Sequence, residues 1–104
     1  MEPDALTRYR IEDQCNRVDA VLVARGIKAR VTGGHLSEHL VTLTVARALS
    51  VHLPTMTRCA PDLAAILQAP AVWVRRDGRQ GVTLTYRPWW LVEASHRTKV
   101  LLEK

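Results

Sequence analysis

The 104-residue sequence lacks the features that mark membrane and secreted proteins. It contains no run of about 18 apolar residues, the length that a membrane-spanning helix requires. Its first ten residues, MEPDALTRYR, are acidic and polar, whereas a secretory signal is basic and then apolar. We therefore expect a cytoplasmic domain that makes no contact with the membrane.

Cysteine is scarce, and the pattern of potential metal ligands is poor. Cys15 and Cys59 lie far apart in the sequence and outside any C-x-x-C arrangement, so we expect two reduced thiols rather than a disulfide framework or a zinc site. His35 and His39 have the i,i+4 spacing of zinc ligands, but that spacing brings two ligands together only on a helix. The local pattern there predicts a strand and a turn, so we expect no metal.

Phosphate-binding and nucleophile motifs are also missing. The sequence has no G-x-x-x-x-G-K-[ST] loop, no G-x-G-x-x-G loop and no nucleophile elbow around its serines. The pair Gly33-Gly34 therefore predicts a bulge or bend in a strand rather than a phosphate cradle. We expect a chain that is not an enzyme by itself and that holds no cofactor.

What the sequence does contain is an apolar pattern with clear periodicity. Hydrophobic residues make up 47% of the chain, and its length fits one domain with a modest core. In Leu40 to Ala46, apolar side chains alternate with Thr42 and Thr44, as in a strand with one buried face. The first segment instead has Ile11, Cys15, Val18 and Leu22 at helical spacing, and Gly26 is suited to end that helix.

These patterns predict an α+β fold: an antiparallel or mixed sheet of about five strands, packed on one face by two to three helices. The predicted helices span residues 4–25, 57–67 and 91–102. The predicted strands span residues 27–32, 40–46, 49–54, 71–76 and 82–87, and the last two are joined by a tight turn at Asp77-Gly78.

Positive charge dominates the polar residues. Fifteen lysines and arginines oppose ten acidic residues, which gives a net charge of +5, and twelve of the fifteen are arginines. Guanidinium groups bind phosphate in a planar, bidentate manner, so the excess favours an anionic partner such as nucleic acid. Four arginines are predicted to concentrate at one end or edge of the last hairpin: Arg75, Arg76, Arg79 and Arg87. Arg47 is a further candidate for phosphate contact.

Three tryptophans are candidates for a partner interface: Trp73, Trp89 and Trp90. Trp73 alternates with buried valines, so its side chain is predicted to be exposed. Adjacent side chains in an extended segment point opposite ways, so one of Trp89 and Trp90 is expected in the core. The other is expected to cover the sheet edge or to contact a partner.

The order of these segments resembles a known family. The segments are, in order, a strand entered as ARVT, the His35-Leu36 pair, a VT-containing strand, a return strand, the helix at Asp62 to Ala64, a VxV strand and a hairpin partner ending at Pro88. Together they resemble the alpha domain of FtsK/SpoIIIE-type DNA translocases. The resemblance covers about Ile11 to Leu91. The chain departs from the family pattern at Ser37-Glu38, where the family has Gly-Pro, and at Asp77-Gly78-Arg79, which is a shortened form of the family's hairpin loop.

The resemblance implies a non-catalytic domain that forms one tier of a homo-oligomeric ring around double-stranded DNA. ATP and magnesium would then be needed only by a separate RecA-like motor domain. Two alternatives remain open from the residues. One is a single-strand nucleic-acid-binding module that uses an outer sheet face with Thr42, Thr44, Thr83, Thr85, Trp73 and Arg75. The other is a phage or plasmid protein that docks on a host translocase.

Overall fold

A computed structural model describes residues 3–90, which form three helices and four strands. In chain order these are α1 (Pro3–Ala24), β1 (Ala29–Ser37), β2 (Leu40–Arg47), α2 (Leu53–Arg58), α3 (Ala60–Leu67), β3 (Val72–Asp77) and β4 (Gly81–Tyr86). The predicted helix over 91–102 lies outside the described residues. Among residues 3–90, none of the helices combines the length and the apolar content needed to cross a membrane.

The four strands form one antiparallel sheet in the order β1-β2-β4-β3. The α+β prediction with helices on one face is confirmed, although the described sheet has four strands where about five were expected. The alternation of apolar and polar residues along the strands determines which face of the sheet is buried. The inner-face side chains of β2 and β4 are fully buried, and they are Val41, Leu43, Val45, Val82, Leu84 and Tyr86.

Helix α1 covers β1, and helix α3 packs beside it over β3. Val18 and Leu22 of α1 are fully buried, as the helical spacing predicts, whereas Ile11 and Cys15 are only partly buried. The helix ends at Gly26, which adopts a φ of 69°. The N–H of Ile27 donates to the carbonyl of Leu22 at 2.9 Å, and that of Gly26 donates to Val23 at 3.0 Å. This is the Schellman arrangement, in which glycine adopts the left-handed conformation at little cost.

The predicted strand over 49–54 is wrong. The N–H of Val51 donates to the carbonyl of Ala48 in a turn, and α2 begins at Leu53 with Pro54 in its first turn. Apolar residues alternate here, yet Val51 is buried and Leu49 is 70% exposed. A strand returning directly beside β2 would also find no free side, because β2 already pairs with β1 on one side and β4 on the other.

Two other boundaries differ from the prediction. The helix expected over 57–67 is divided at Cys59 into α2 and α3, and Pro61 lies at the start of α3, where its missing N–H is not needed. Strand β1 continues to Ser37 because Gly33 lies within it, next to a bulge between Val31 and Gly33. The bulge expected at the glycine pair is therefore confirmed, but it does not end the strand.

One polar pair lies within the core. The hydroxyl of Tyr86 donates to Oε1 of Gln14, and both side chains are buried. Burial, with a smaller contribution from Cys15, raises the pKa of the Tyr86 hydroxyl well above its ordinary value. The folded protein therefore keeps this proton at a pH where the unfolded chain loses it.

Replacing Tyr86 with phenylalanine should cost about 1–3 kcal/mol of unfolding free energy, because Gln14 Oε1 stays buried and loses its donor. Urea unfolding of Tyr86→Phe, Gln14→Leu and the double variant tests this, and the double variant should cost less than the sum of the two. Above about pH 10, where tyrosine ionises in the unfolded chain, wild-type stability should fall with rising pH. The stability of the Tyr86→Phe protein should lack the part of this decrease that the Tyr86 hydroxyl causes. Additive costs with unchanged pH dependence would contradict the hydrogen bond.

Candidate nucleic-acid interface

Exposed basic side chains from three parts of the chain meet at one end of the sheet. Arg30, near the start of β1, pairs with Ala46 near the end of β2. Ala46 in turn pairs with Gly81 at the start of β4. The β3–β4 turn lies at this same end, because Asp77 pairs with Gly81. We call the exposed basic residues at this end the basic rim: Lys28, Arg30, Arg75, Arg76 and Arg79.

Strand spacing sets the width of the basic rim. The Cα atoms of Arg30 and Asp77 are separated by three strand steps of about 4.8 Å each, or about 14 Å. Arg75 lies two residue pairs farther into the sheet, on the same face as Arg30. This separation is close to the major-groove width of about 12 Å in B-DNA, so cations on both sides of the sheet end can reach phosphates that flank one groove.

Strand alternation divides the arginines of β3 between the two faces. Arg75 pairs with Thr83 on the outer face, and Arg76 pairs with Val82 on the face that carries the helices. Both side chains are exposed. Arg75 is therefore better placed than Arg76 to act together with Arg30 on one ligand.

Two predicted phosphate-binding residues are placed elsewhere. Arg87 follows Tyr86, which pairs with Val72 at the start of β3, so Arg87 lies at the opposite end of the hairpin from its turn. The prediction that Arg87 clusters with the other three arginines is wrong. In a hairpin the last residue of β4 lies beside the start of β3, whereas the other three arginines lie near or after its end.

Arg47 is used within the fold. Its Nη1 donates to the carbonyl of Val51, and its Nη2 donates to the carbonyl of Arg79 at 3.2 Å. Its Nε is buried and has no partner among residues 3–90. The guanidinium thus joins the turn after β2 to the β3–β4 turn and positions Arg79, so Arg47 serves the fold rather than a phosphate contact.

The outer face of the sheet is the second candidate surface. The register aligns Thr42, Thr85 and Trp73 in one row and Thr44, Thr83 and Arg75 in the next. The hydroxyls of Thr42 and Thr85 lie 3.4 Å apart. Trp73 is 57% exposed, as the alternation predicts. The six residues proposed for single-strand binding therefore share one face, although they offer one aromatic ring for stacking.

The other two tryptophans lie against α1. Trp90 is 5% exposed and belongs to the core, as expected for one of the two, whereas Trp89 is 49% exposed. Both residues are helical and not extended as the prediction assumed. The guanidinium carbon of Arg10 lies 5.4 Å from the centroid of the Trp89 ring and 5.6 Å from that of Trp90, a distance typical of cation–π contact. Trp90 is thus unavailable to a partner, and Trp73 and Trp89 remain as candidates.

The cysteines and histidines do not form a site in the described part of the chain. Cys15 and Cys59 are both free thiols. Burial, and then the nearby carboxylates of Asp19 and Glu12, raise the pKa of the Cys15 thiol, which makes it a weaker nucleophile at neutral pH. Within residues 3–90 no group of three histidine, cysteine or acidic side chains could hold a metal ion. His35 lies in β1 and His39 in the turn that follows it.

A scan against protein-family models found no match for this chain, and a search of curated proteins found none either. The assignment of function therefore rests on the residues and their geometry. Sequence reasoning missed Lys28 and Arg30, because their proximity to the last hairpin depends on the strand order β1-β2-β4-β3. Alternation alone indicates that Arg30 faces outward, but it does not indicate what lies beside it.

Proposed function

We propose that this chain is a non-catalytic domain of an FtsK/SpoIIIE-type translocase assembly that contacts double-stranded DNA without reading its sequence. The observation that carries the proposal is the basic rim, which gathers five exposed cations from three parts of the chain at one end of the sheet, with Asp77 among them. The antiparallel sheet backed by helices is compatible with the alpha domain that the segment order resembles. In this proposal the domain acts in the cytoplasm, assembles into a ring, and depends on a separate RecA-like motor for ATP hydrolysis.

Phosphate contact suits a translocase because contacts to the DNA backbone carry no sequence information. Each contact releases counterions, so affinity depends steeply on salt and can be lost and regained at successive positions. We assign the contacts to Lys28, Arg30, Arg75 and Arg79. Of these, Arg79 is additionally held in place through its carbonyl by Arg47.

The triple variant Lys28→Ala/Arg75→Ala/Arg79→Ala tests the assignment. Each phosphate contact contributes about 0.9 to the slope of log affinity against log salt, so the slope should shrink by up to about 2.7. Affinity for duplex DNA should fall by about tenfold or more at low salt. Fluorescence anisotropy of a labelled duplex at several salt concentrations measures both quantities.

The matched control removes three other exposed arginines: Arg8→Ala/Arg58→Ala/Arg87→Ala. It changes net charge by the same amount, but its residues lie on α1, at the end of α2 and at the far end of β4. We expect its salt slope to stay close to that of the wild type. Equal losses in the two triple variants would show that net charge alone, and not the basic rim, attracts DNA.

The outer face, which no helix of residues 3–90 covers, favours a second candidate, binding of single-stranded nucleic acid. Base stacking on an aromatic ring contributes about 1–3 kcal/mol per base, so Trp73→Ala should then weaken binding to single strands more than binding to duplex. Quenching of tryptophan fluorescence by an oligonucleotide would support this alternative. Preference for duplex DNA, with affinity unchanged by Trp73→Ala, supports the first proposal.

A further inference from the structure

The sheet has two unlike edges that no other strand covers within residues 3–90. Strand β1 ends the sheet on one side and β3 ends it on the other. Uncovered edges present unpaired N–H and C=O groups and readily accept a strand from another chain. Two different edges on one molecule can join copies head to tail, because one edge of each copy stays available for the next.

The edge formed by β1 lies beside a groove. Helix α1 and β1 enclose about 770 Å³ there, and the groove is lined in part by Ile11, Cys15, Val31 and Leu36. The N–H of Val31 donates to Oδ1 of Asp19 at 2.7 Å, so this backbone group points away from β2. The groove therefore combines an apolar wall with the Asp19 carboxylate, which already accepts the outward N–H of Val31.

Strand directions allow a second copy to continue the sheet. All neighbouring pairs are antiparallel, so β1 and β3 run in opposite directions within one copy. If the next copy has the same orientation, its β3 runs antiparallel to β1 of the first. The joint would thus be antiparallel like the other pairs of the sheet, except at Val31, whose N–H already donates to Asp19.

The rows of paired residues predict which side chains would meet. On the outer face, Arg30, Ala46, Gly81 and Asp77 form one row across the sheet. Continuing that row places Asp77 of the next copy beside Arg30. On the inner face, Val31, Val45, Val82 and Arg76 form a row. Continuing it places Arg76 of the next copy beside Val31, where Asp19 lies.

Both continued rows therefore join opposite charges, one pair on each face of the sheet. A third row, from His35 through Thr42 and Thr85 to Trp73, places the exposed Trp73 of the next copy beside His35. On the inner face, Val74 of the next copy would lie beside Gly34.

We propose that copies of this chain associate head to tail by antiparallel pairing of β3 of one copy with β1 of the next, and that Asp77–Arg30 and Arg76–Asp19 pairs fix the register. The inference rests on the ring assembly in the proposed function and specifies its interface. The pairing itself needs no DNA. If the rotation between successive copies closes on itself, the assembly is a ring; if it does not, the assembly is an open filament.

Sedimentation velocity of the wild-type chain without DNA tests the association. The mass should rise with protein concentration beyond that of a dimer. Arg30→Asp and Asp77→Arg should each raise the dissociation constant by about tenfold or more, because each places like charges together. Arg87→Asp makes the same charge change as Arg30→Asp away from both edges and should associate like the wild type. Circular dichroism establishes that all variants are folded.

An equimolar mixture of Arg30→Asp and Asp77→Arg gives the decisive result. Each variant retains one intact edge for the other, and the two altered edges are also complementary in charge. The mixture should therefore associate although neither variant does so alone. Labelling of Cys15, which lines the groove, should slow on association in the wild type and in the mixture but not in the single variants.

A monomeric wild type at all concentrations would overturn the inference, as would association that neither charge reversal weakens, or a mixture that does not recover. These outcomes are separable from failure of DNA contact. A monomeric chain that binds duplex through the basic rim would overturn only the interface. A chain that associates as described but has no affinity for DNA would overturn only the DNA contact.

Discussion

Replacing Gly34 with valine is expected to destabilise the fold by about 3 kcal/mol, the upper part of the usual range for overpacking a core. A Cβ at this position would lie 2.6 Å from Cδ2 of Leu43, 3.1 Å from Cγ2 of Ile11 and 3.3 Å from the carbonyl oxygen of Thr42. Leu43 is fully buried, so its methyl group cannot move without disturbing the core. Relief would require the Leu43 side chain to shift and α1 to move away from β1.

Gly33 provides the matched control in the same strand. A Cβ at Gly33 meets no atom within 4 Å, and valine is favoured in strands. Gly33→Val should therefore change the unfolding free energy by no more than about 0.5 kcal/mol. Urea unfolding of both variants measures the difference. Equal effects would mean that strand propensity, and not contact with α1, explains the glycine at position 34.

A double variant identifies the contact directly. Gly34→Ala should cost less than Gly34→Val, since it adds only the Cβ. The double variant Gly34→Ala/Ile11→Ala also lacks one of the crowding methyl groups. Its cost in unfolding free energy should therefore fall below the sum of the two single changes. Strict additivity would indicate that α1 does not approach β1 at this point.

The sequence predicts the elements whose pattern is local. The burial of Val41, Leu43 and Val45 follows from a period of two, and the end of α1 follows from Gly26, because each depends on neighbours in the chain. Residues 49–54 show the limit of this reasoning. Their apolar residues also alternate, but a strand needs a partner with free backbone groups, and both sides of β2 are occupied.

The candidate site is less predictable because it depends on contacts between distant segments. Arg75 and Arg79 were recognised from one hairpin, whereas Arg30 joins them only because β1 and β4 both pair with β2. Arg47 has the composition of a phosphate ligand, but its guanidinium donates to two carbonyls of the protein. A single sequence indicates which side chains are cations, and the fold decides which of them remain accessible.

The second large effect is expected at Leu84, in the centre of the inner sheet face. Its side chain is fully buried and lies in a row between Leu43 of β2 and Val74 of β3. Leu84→Ala should cost about 2–5 kcal/mol of unfolding free energy, because it removes buried methyl groups and leaves a cavity that the surrounding sheet and helices fill only in part. For a domain of this size, each kcal/mol lowers the melting temperature by about 4–8 °C.

Leu49→Ala is the control with the same chemical change, since Leu49 is 70% exposed in the turn before α2. It should cost no more than about 0.5 kcal/mol. Leu84→Met, which keeps nearly the same volume, should cost less than about 1.5 kcal/mol. Thermal and urea unfolding measure the three variants together. If Leu84→Ala costs as little as Leu49→Ala, the helices do not cover this face of the sheet. The inference that Arg76 and Asp19 lie on the same side of the sheet would then also be wrong.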